Sequence, residues 1–408
     1  MNPFAAYDIT ALLSQPLLTS WLFFLGGLYI LYRLVWMLER MVALKPTYEP
    51  SALWTDLDSI PLDEIADEVM KRRRDAGFDI VRGNEACIVW NTGEGSQTRV
   101  NPGRSAKKSN SIRRNGVNSP RRTPLAIVYI HGWSAGVMEH KTLVEDWGQR
   151  LGANVVCWRL TGHGGADLSE GAQNLQLLTQ ATATNLYADA ADACLVGLRV
   201  SERVVLVGSS TGAALLTVWA AKAPAAFRSR IAGFVGLSPA YALSTPLYPF
   251  MGPLLALMRA GLPSRHLSRA ASGFLLSCIA GPYRHMAPIN EEHKIRWTLR
   301  YPTRAVVTSI ECIWEAGHAN FKALDCPVVF VGYDADPVVS WTFTIGKKAF
   351  GALRDVPRLA LNVARPPNIK GNGDFHHHVI GSTILSSATV REVTNIVGSF
   401  LDMHCRLD

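Results

Sequence analysis

A doubly wound, mostly parallel α/β sheet with a helical cap is the fold class the sequence predicts, and three observations predict it. Apolar, β-branched runs alternate with helix-length segments from Leu125 to Leu237, and the sheet resumes at Pro327. One run, Val204-Val205-Leu206-Val207, meets Gly208-Ser209-Ser210-Thr211-Gly212 and passes at once into a helix-forming stretch. Between Tyr241 and about Asp325 the alternation gives way to a segment rich in Pro, Leu, Met and aromatic residues, with several helical stretches.

Taken in chain order, the first element is apolar. Residues 17–38 carry one charge, Arg33, and have Trp21 and Trp36 near their ends. A helix rising ~1.5 Å per residue crosses a hydrocarbon core of ~30 Å in about twenty residues, so this predicts an N-terminal transmembrane helix. Arg33, Arg40 and Lys45 lie at its far end, with Lys71-Arg72-Arg73-Arg74 beyond. That bias predicts a single-pass protein with its catalytic bulk in the cytoplasm. Residues 1–45 form the anchor.

Residues 46–90 hold an amphipathic helix over 58–77 and edge strands over 78–90. The helix has Pro61, Asp63 and Glu64 in its first turn and bases in its last, and Gly77 stops it. Residues 91–124 hold eight bases against one acid, nearly all of the net charge of +8. That composition predicts a disordered insertion, with anionic lipid headgroups as a candidate partner. It lacks interleaved aromatic residues, so nucleic-acid binding is not expected. Residues 125–240 form the first half of the core, 241–325 the helical cap and 326–408 the second half. Predicted strands are 125–130, 155–160, 204–207, 234–237, 327–331 and 358–363. Helices are expected after 130 and over 184–197, 211–223 and 387–402. Seven cysteines without a Cys-x-x-Cys pair read as reduced thiols.

The strand–turn–helix context makes Ser210 a candidate nucleophile on a sharp elbow. Glycines at 208 and 212 relieve crowding in so tight a turn, and the Thr211 amide is placed to face a developing oxyanion. Gly132-Trp133-Ser134-Ala135-Gly136 fits the same pentapeptide, but the residues after it, Val137 to Lys141, are polar and less clearly helical. A serine nucleophile needs a base, and the base a carboxylate. Strand 328–331 runs into Gly332-Tyr333-Asp334-Ala335-Asp336, which offers two carboxylates. His376, His377 and His378 precede the last helix and offer the base. Three consecutive histidines rarely converge on one ion, so no metal or organic cofactor is expected. The loop after strand 125–130, His131-Gly132-Trp133, supplies the second oxyanion donor through the Trp133 amide, with His131 bracing the loop.

These residues resemble the α/β-hydrolase superfamily, specifically its serine esterase and lipase group of bacterial carboxylesterases and monoacylglycerol lipases. The resemblance covers roughly residues 78–404. It is carried by Tyr129-Ile130-His131-Gly132-Trp133, Arg159-Leu160-Thr161-Gly162-His163-Gly164, Gly208 to Gly212, Asp336-Pro337-Val338-Val339 and His378-Val379-Ile380. In that group the acid heads an Asp-x-Val-Val run, which implies Asp336 over Asp334. The base precedes Val-Ile, which implies His378 over His377. The resemblance implies a hydrolase of carboxylic esters that works through an acyl-enzyme; the predicted membrane anchor, the basic insertion and the tripled His depart from the group's pattern. Leu254, Leu255, Leu257, Met258, Phe274, Leu275 and Leu276 of the cap suggest an apolar acyl substrate. An acyltransferase or peptidase on the same scaffold, and a non-catalytic membrane-bound binding protein, are the alternatives.

Overall fold

The computed structural model describes residues 20, 21, 23–30, 57–68, 83–91, 97–99, 120–164, 176–246, 248, 251, 265–363 and 380–406. The chain divides into two compact units, Met1–Lys45 with Leu247–Ser272, and Pro46–Pro246 with Gly273–Asp408. In the first unit, residues 20, 21 and 23–30 are helical with exposed side chains, Trp21, Phe23 and Phe24 among them. The rest of the predicted span 17–38 lies outside the described residues. Among the described residues no helix is long and apolar enough to cross a membrane.

The second unit is built on an eight-stranded sheet. Its strands are β1 (Cys87–Asn91), β2 (Gln97–Arg99), β3 (Thr123–Ile130), β4 (Asn154–Trp158), β5 (Ser201–Ser209), β6 (Ile231–Leu237), β9 (Val328–Gly332) and β10 (Arg358–Asn362). Two further strands, β7 (Tyr283–His285) and β8 (Arg300–Pro302), pair only with each other. The order across the main sheet is β10-β9-β6-β5-β3-β4-β1-β2. All neighbours from β10 to β4 are parallel, and β1 runs antiparallel to both β4 and β2.

The helices with room for two turns or more are α1 (Lys141–Leu151), α2 (Ala183–Val200), α3 (Thr211–Lys222), α4 (Arg265–Ala280), α6 (Val306–Gly317) and α7 (Ser387–Cys405), with the shorter α5 (Glu291–Arg296) between α4 and α6. Alternate residues of β3 face opposite layers. Ala126, Val128 and Ile130 pack with α2, α3 and α6, while Ile127 and Tyr129 pack with α1 and α7. A sheet covered on both faces needs near-continuous apolar strands, and β4 and β6 are buried at every position. For the same reason α3, buried at every residue from Thr211 to Ala220, is apolar on all sides. Thr182 starts α2 by accepting from the Asn185 amide, and Gly152 ends α1 in the left-handed region.

The chain leaves β3 for β4 on one side and returns to β5 on the other. That reversal opens a crevice at the carboxyl ends of β3 and β5, where sheets of this kind place their chemistry.

Three expectations need correction. The disordered insertion 91–124 carries strand at both ends, since Gln97–Arg99 pairs with β1 and β3 begins at Thr123. A strand joined by backbone hydrogen bonds alone needs no apolar side chains. Residues 92–96 and 100–119 lie outside the described residues. The region 241–325 is not helical cap throughout, because β7 and β8 form an antiparallel ribbon and α6 belongs to the core. Cys312 and Ala316 of α6 bury against the layer that α3 occupies, so α6 serves the sheet. The stretch after Ser134, read as polar and less clearly helical, is helical from Val137: it turns through a short 3-10 helix, Val137–Glu139, into α1, with Glu139, His140 and Lys141 buried. Of the predicted helix 58–77, residues 69–77 lie outside the described residues, as do Leu254, Leu255, Leu257 and Met258. None of the seven cysteines forms a disulfide; six are buried and Cys278 is exposed.

Candidate active site

Ser210 stands between β5 and α3 with φ 48° and ψ −113°, in the region that serine seldom enters. Such strain persists only where surrounding structure dictates it. Here the dictating contacts are backbone. The Ser210 amide donates to the Leu237 carbonyl at 2.9 Å, and the Ser210 carbonyl accepts from Ala240 and Ala214, each at 3.2 Å. The turn admits no side chain on either flank. A Cβ at Gly208 would strike the Ala213 backbone, and one at Gly212 would strike the Ile130 carbonyl oxygen. Gly212 thus answers to the neighbouring strand β3, and a Cβ on Gly208 would also meet the Gly212 carbonyl carbon at 2.7 Å, so the two glycines crowd each other as well.

Ser210 is the N-cap residue of α3, yet its side chain does not cap the helix. The hydroxyl therefore sits at the positive end of the helix dipole without serving the helix. Since the Ser210 amide is taken by Leu237, the next amide available for an anion is that of Thr211. The Thr211 hydroxyl lies 3.4 Å from Ser309 Oγ.

The loop after β3 lies directly against this serine. A Cβ on Gly132 would come within 3.3 Å of Ser210 Cβ. His131 braces the loop as expected. Its Nε2 accepts from the Leu160 amide at 3.1 Å, which leaves Nδ1 protonated to donate to the Gly132 carbonyl at 2.8 Å. Burial pulls the His131 pKa down from 6.5 to about 4, so the ring is neutral at pH 7. The Gly132 amide is held by the buried Glu139 carboxylate at 2.9 Å, and cannot itself face an oxyanion. Among described residues, no acceptor takes the amides of Trp133 or Thr211. The Trp133 ring packs edge-on against His163 at 5.0 Å and Tyr301 at 6.4 Å, forming one aromatic wall. Ser134, the serine of the second pentapeptide, is buried in a turn with φ 58°, and its carbonyl accepts from the Thr298 amide at 2.9 Å. It links the loop to the segment before β8, and no α-helix starts behind it until Lys141.

Of the two carboxylates after β9, Asp334 is exposed and Asp336 is 4 % exposed. One oxygen of Asp336 accepts from the amides of Val338 at 2.8 Å and Val339 at 3.0 Å. These bonds fix the carboxylate in place. The Asp336 carbonyl accepts from Ser244 Oγ at 2.7 Å, tying the loop to the chain beyond β6. Strands β5, β6 and β9 are adjacent, so Ser210 and Asp336 leave the same edge of the sheet.

His376, His377 and His378 lie outside the described residues. The chain returns at Ile380, which is held between two layers. Its amide donates to Ser238 Oγ at 3.2 Å, and its carbonyl faces His140 Nε2 at 2.9 Å. The Arg159-Leu160-Thr161 loop after β4 is fixed by Asp189, which takes the Thr161 amide and hydroxyl. Asp189, Glu139 and His140 carried no signal in the sequence beyond being polar. Their partners are distant in the chain or close at hand in a turn whose shape the sequence does not spell out.

A model of the alpha/beta hydrolase family matches residues 127–376. No curated protein matches the chain. Among solved structures, a metagenome-derived lipolytic enzyme is 19 % identical, with 59 % of this chain and 85 % of that chain covered and a TM-score of 0.43. A soluble variant of monoglyceride lipase from Saccharomyces cerevisiae, bound to a substrate analogue, is 13 % identical over 71 % of this chain and 89 % of that one, with a TM-score of 0.46. The monoacylglycerol lipase of Paleococcus ferrophilus is 15 % identical over 69 % and 97 %, with a TM-score of 0.41.

Proposed function

Since the chain belongs to the alpha/beta hydrolase family, we propose that it is a serine hydrolase that cleaves carboxylic esters through an acyl-enzyme. In this reading Ser210 attacks the ester carbonyl and His378 takes its proton. Asp336 holds the imidazole in the required tautomer and stabilises the imidazolium. The amides of Trp133 and Thr211 receive the oxyanion. The proton then passes from His378 to the leaving alcohol, and water repeats the sequence to release the acid.

The observation that carries the reading is the Ser210 backbone, forced to φ 48° by packing against β3 and β6 with its side chain left out of the helix cap. A serine held in that strained conformation between β5 and α3, 5 % exposed, suits a nucleophile on an elbow. The buried, doubly hydrogen-bonded Asp336 supports the second role. An apolar ester, lipid-like in character, suits a chain with Phe274 and Ile279 of α4 exposed at 69 % and 72 %. Anchorage through residues 17–38, with lipid headgroup contacts from the basic segment 91–124, fits the exposed apolar side chains of 23–30. It also places the enzyme where such esters lie.

A panel of p-nitrophenyl esters and monoacylglycerols tests this. Turnover by the wild type and its loss in Ser210→Ala are expected. Equal turnover by both, or transfer to added alcohols or amines in preference to water, would sink the hydrolase assignment.

A further inference from the structure

Three buried polar side chains join the loop after β3 to the loop beyond the triad histidine. Tyr129, Glu139 and His140 are each 1 % exposed or less. One oxygen of Glu139 accepts from the Gly132 amide at 2.9 Å. The Tyr129 hydroxyl lies 3.3 Å from that same oxygen and 3.3 Å from His140 Nδ1. On the far side of the ring, His140 Nε2 is 2.9 Å from the Ile380 carbonyl. A carbonyl only accepts, so Nε2 carries a proton and donates. The chain of bonds runs from the residue before Trp133 to the second residue after His378.

A carboxylate in such a place costs free energy unless its partners are good. Burial pushes the Glu139 pKa upward, but the His140 ring, the Gly132 amide and the neighbouring His131 outweigh it and bring it to about 2. Burial holds the Tyr129 phenol well above its usual range, so it stays neutral. A pair of loops needing only adhesion could be joined by apolar side chains at less cost. What a carboxylate adds is direction. It fixes the His131–Gly132 peptide through the Gly132 N–H, while the His131 ring holds the Gly132 carbonyl at 2.8 Å and so fixes the next peptide, which carries the Trp133 N–H.

Resting on the serine-hydrolase reading, we propose that Glu139 and His140 are positioning residues that hold the oxyanion loop in register with the segment that begins at Ile380, two residues after His378 in sequence. Glu139 holds the loop that carries the Trp133 amide, His140 holds the Ile380 carbonyl, and Tyr129 lies between the two. Neither residue touches the ester.

The test uses the full chain with p-nitrophenyl butyrate, alongside amide hydrogen exchange of peptides covering 131–134 and 380–384. Misplacing reacting groups by about 1 Å costs on the order of 10²-fold, so Glu139→Ala and His140→Ala are expected to lose about that in kcat, with KM little changed. Glu139→Gln keeps an acceptor for Gly132 and His140→Gln keeps a donor for Ile380, so each is expected to recover most of the loss. Glu139→Ala is expected to speed exchange in both peptides, including 380–384, which Glu139 itself does not touch. Tyr129→Phe removes one hydroxyl, keeps the ring, and is the variant least able to disturb folding; a loss of about tenfold in kcat is expected. Unchanged kcat in both alanine variants, a change confined to KM, or faster exchange in 131–134 alone would overturn the proposal. If the wild type turns over no ester, the hydrolase reading fails by itself. The exchange data then still decide whether the two loops are tied.

Discussion

The Ser210 amide donates to the Leu237 carbonyl at 2.9 Å, binding the elbow to the end of the neighbouring strand. This one bond has two effects. It fixes the strained backbone that lifts the side chain out of the helix, and it removes the Ser210 amide as an anion donor. In the proposed mechanism the oxyanion donor is therefore the Thr211 amide, which follows at the start of α3.

Asp336 and Asp334 are expected to separate cleanly. Asp336→Asn keeps the shape of the loop but loses the charge that orients the base, so kcat should fall by about 10³–10⁴-fold. Asp334 is exposed, and Asp334→Asn should leave kcat within about twofold, as surface changes usually do. Steady-state kinetics on one activated ester reads both.

His378→Ala should lower kcat by about 10³–10⁶-fold, because triad members act as a unit. His377→Ala should retain most activity. The reverse pattern, read in the same assay, would move the base by one position.

Gly212→Ala places a methyl against the Ile130 carbonyl oxygen of β3, which is backbone and cannot step aside. The loss of stability should exceed the ~1 kcal/mol centre of point-mutant effects. A lowered Tm, with weakened active-site labelling in what remains folded, is the expected result of thermal melts.

Acid should destabilise the fold in two windows. The buried His131 prefers to be neutral, with its pKa lowered from 6.5 to about 4. The unfolded chain therefore takes up that proton first, and the stability His131 contributes is lost as pH falls from about 6.5 toward 4. Glu139 prefers its charge, with its pKa lowered from 4.5 to about 2, so its contribution is lost as pH falls from about 4.5 toward 2. Melting temperatures across pH 7 to 4 should decline, and His131→Asn should flatten the slope. The flattening is partial, because burial also depresses the pKa of His163.

Much of the sheet is legible in the sequence because parallel strands buried on both faces must be apolar throughout. Val204 to Val207 and Val328 to Val331 could hardly be anything else. The elbow is legible because backbone contact leaves room for glycine alone at 208 and 212, and steric demands of that kind leave a fixed spacing behind. Gln97–Arg99 hides for the opposite reason: it covers the edge of β1 with backbone bonds that any sequence supplies. Glu139 and His140 read only as polar residues of a less clearly helical stretch, since nothing local says that Tyr129 and Ile380 will surround them. Asp336 against Asp334 rested on a motif; what the sequence does not spell out is that Asp336 is buried and accepts two amides while Asp334 is exposed.

The full chain should sediment with membranes, resist alkaline carbonate and be released by detergent if residues 17–38 anchor it. Recovery in the soluble fraction would count against the anchor and leave the chemistry of Ser210 untouched.

The most direct measurement is a fluorophosphonate label located by peptide mass spectrometry. The account predicts one phosphonyl group on Ser210, absent from Ser210→Ala and retained by Ser134→Ala. A label on Ser134, or no label on the folded wild type, would contradict it.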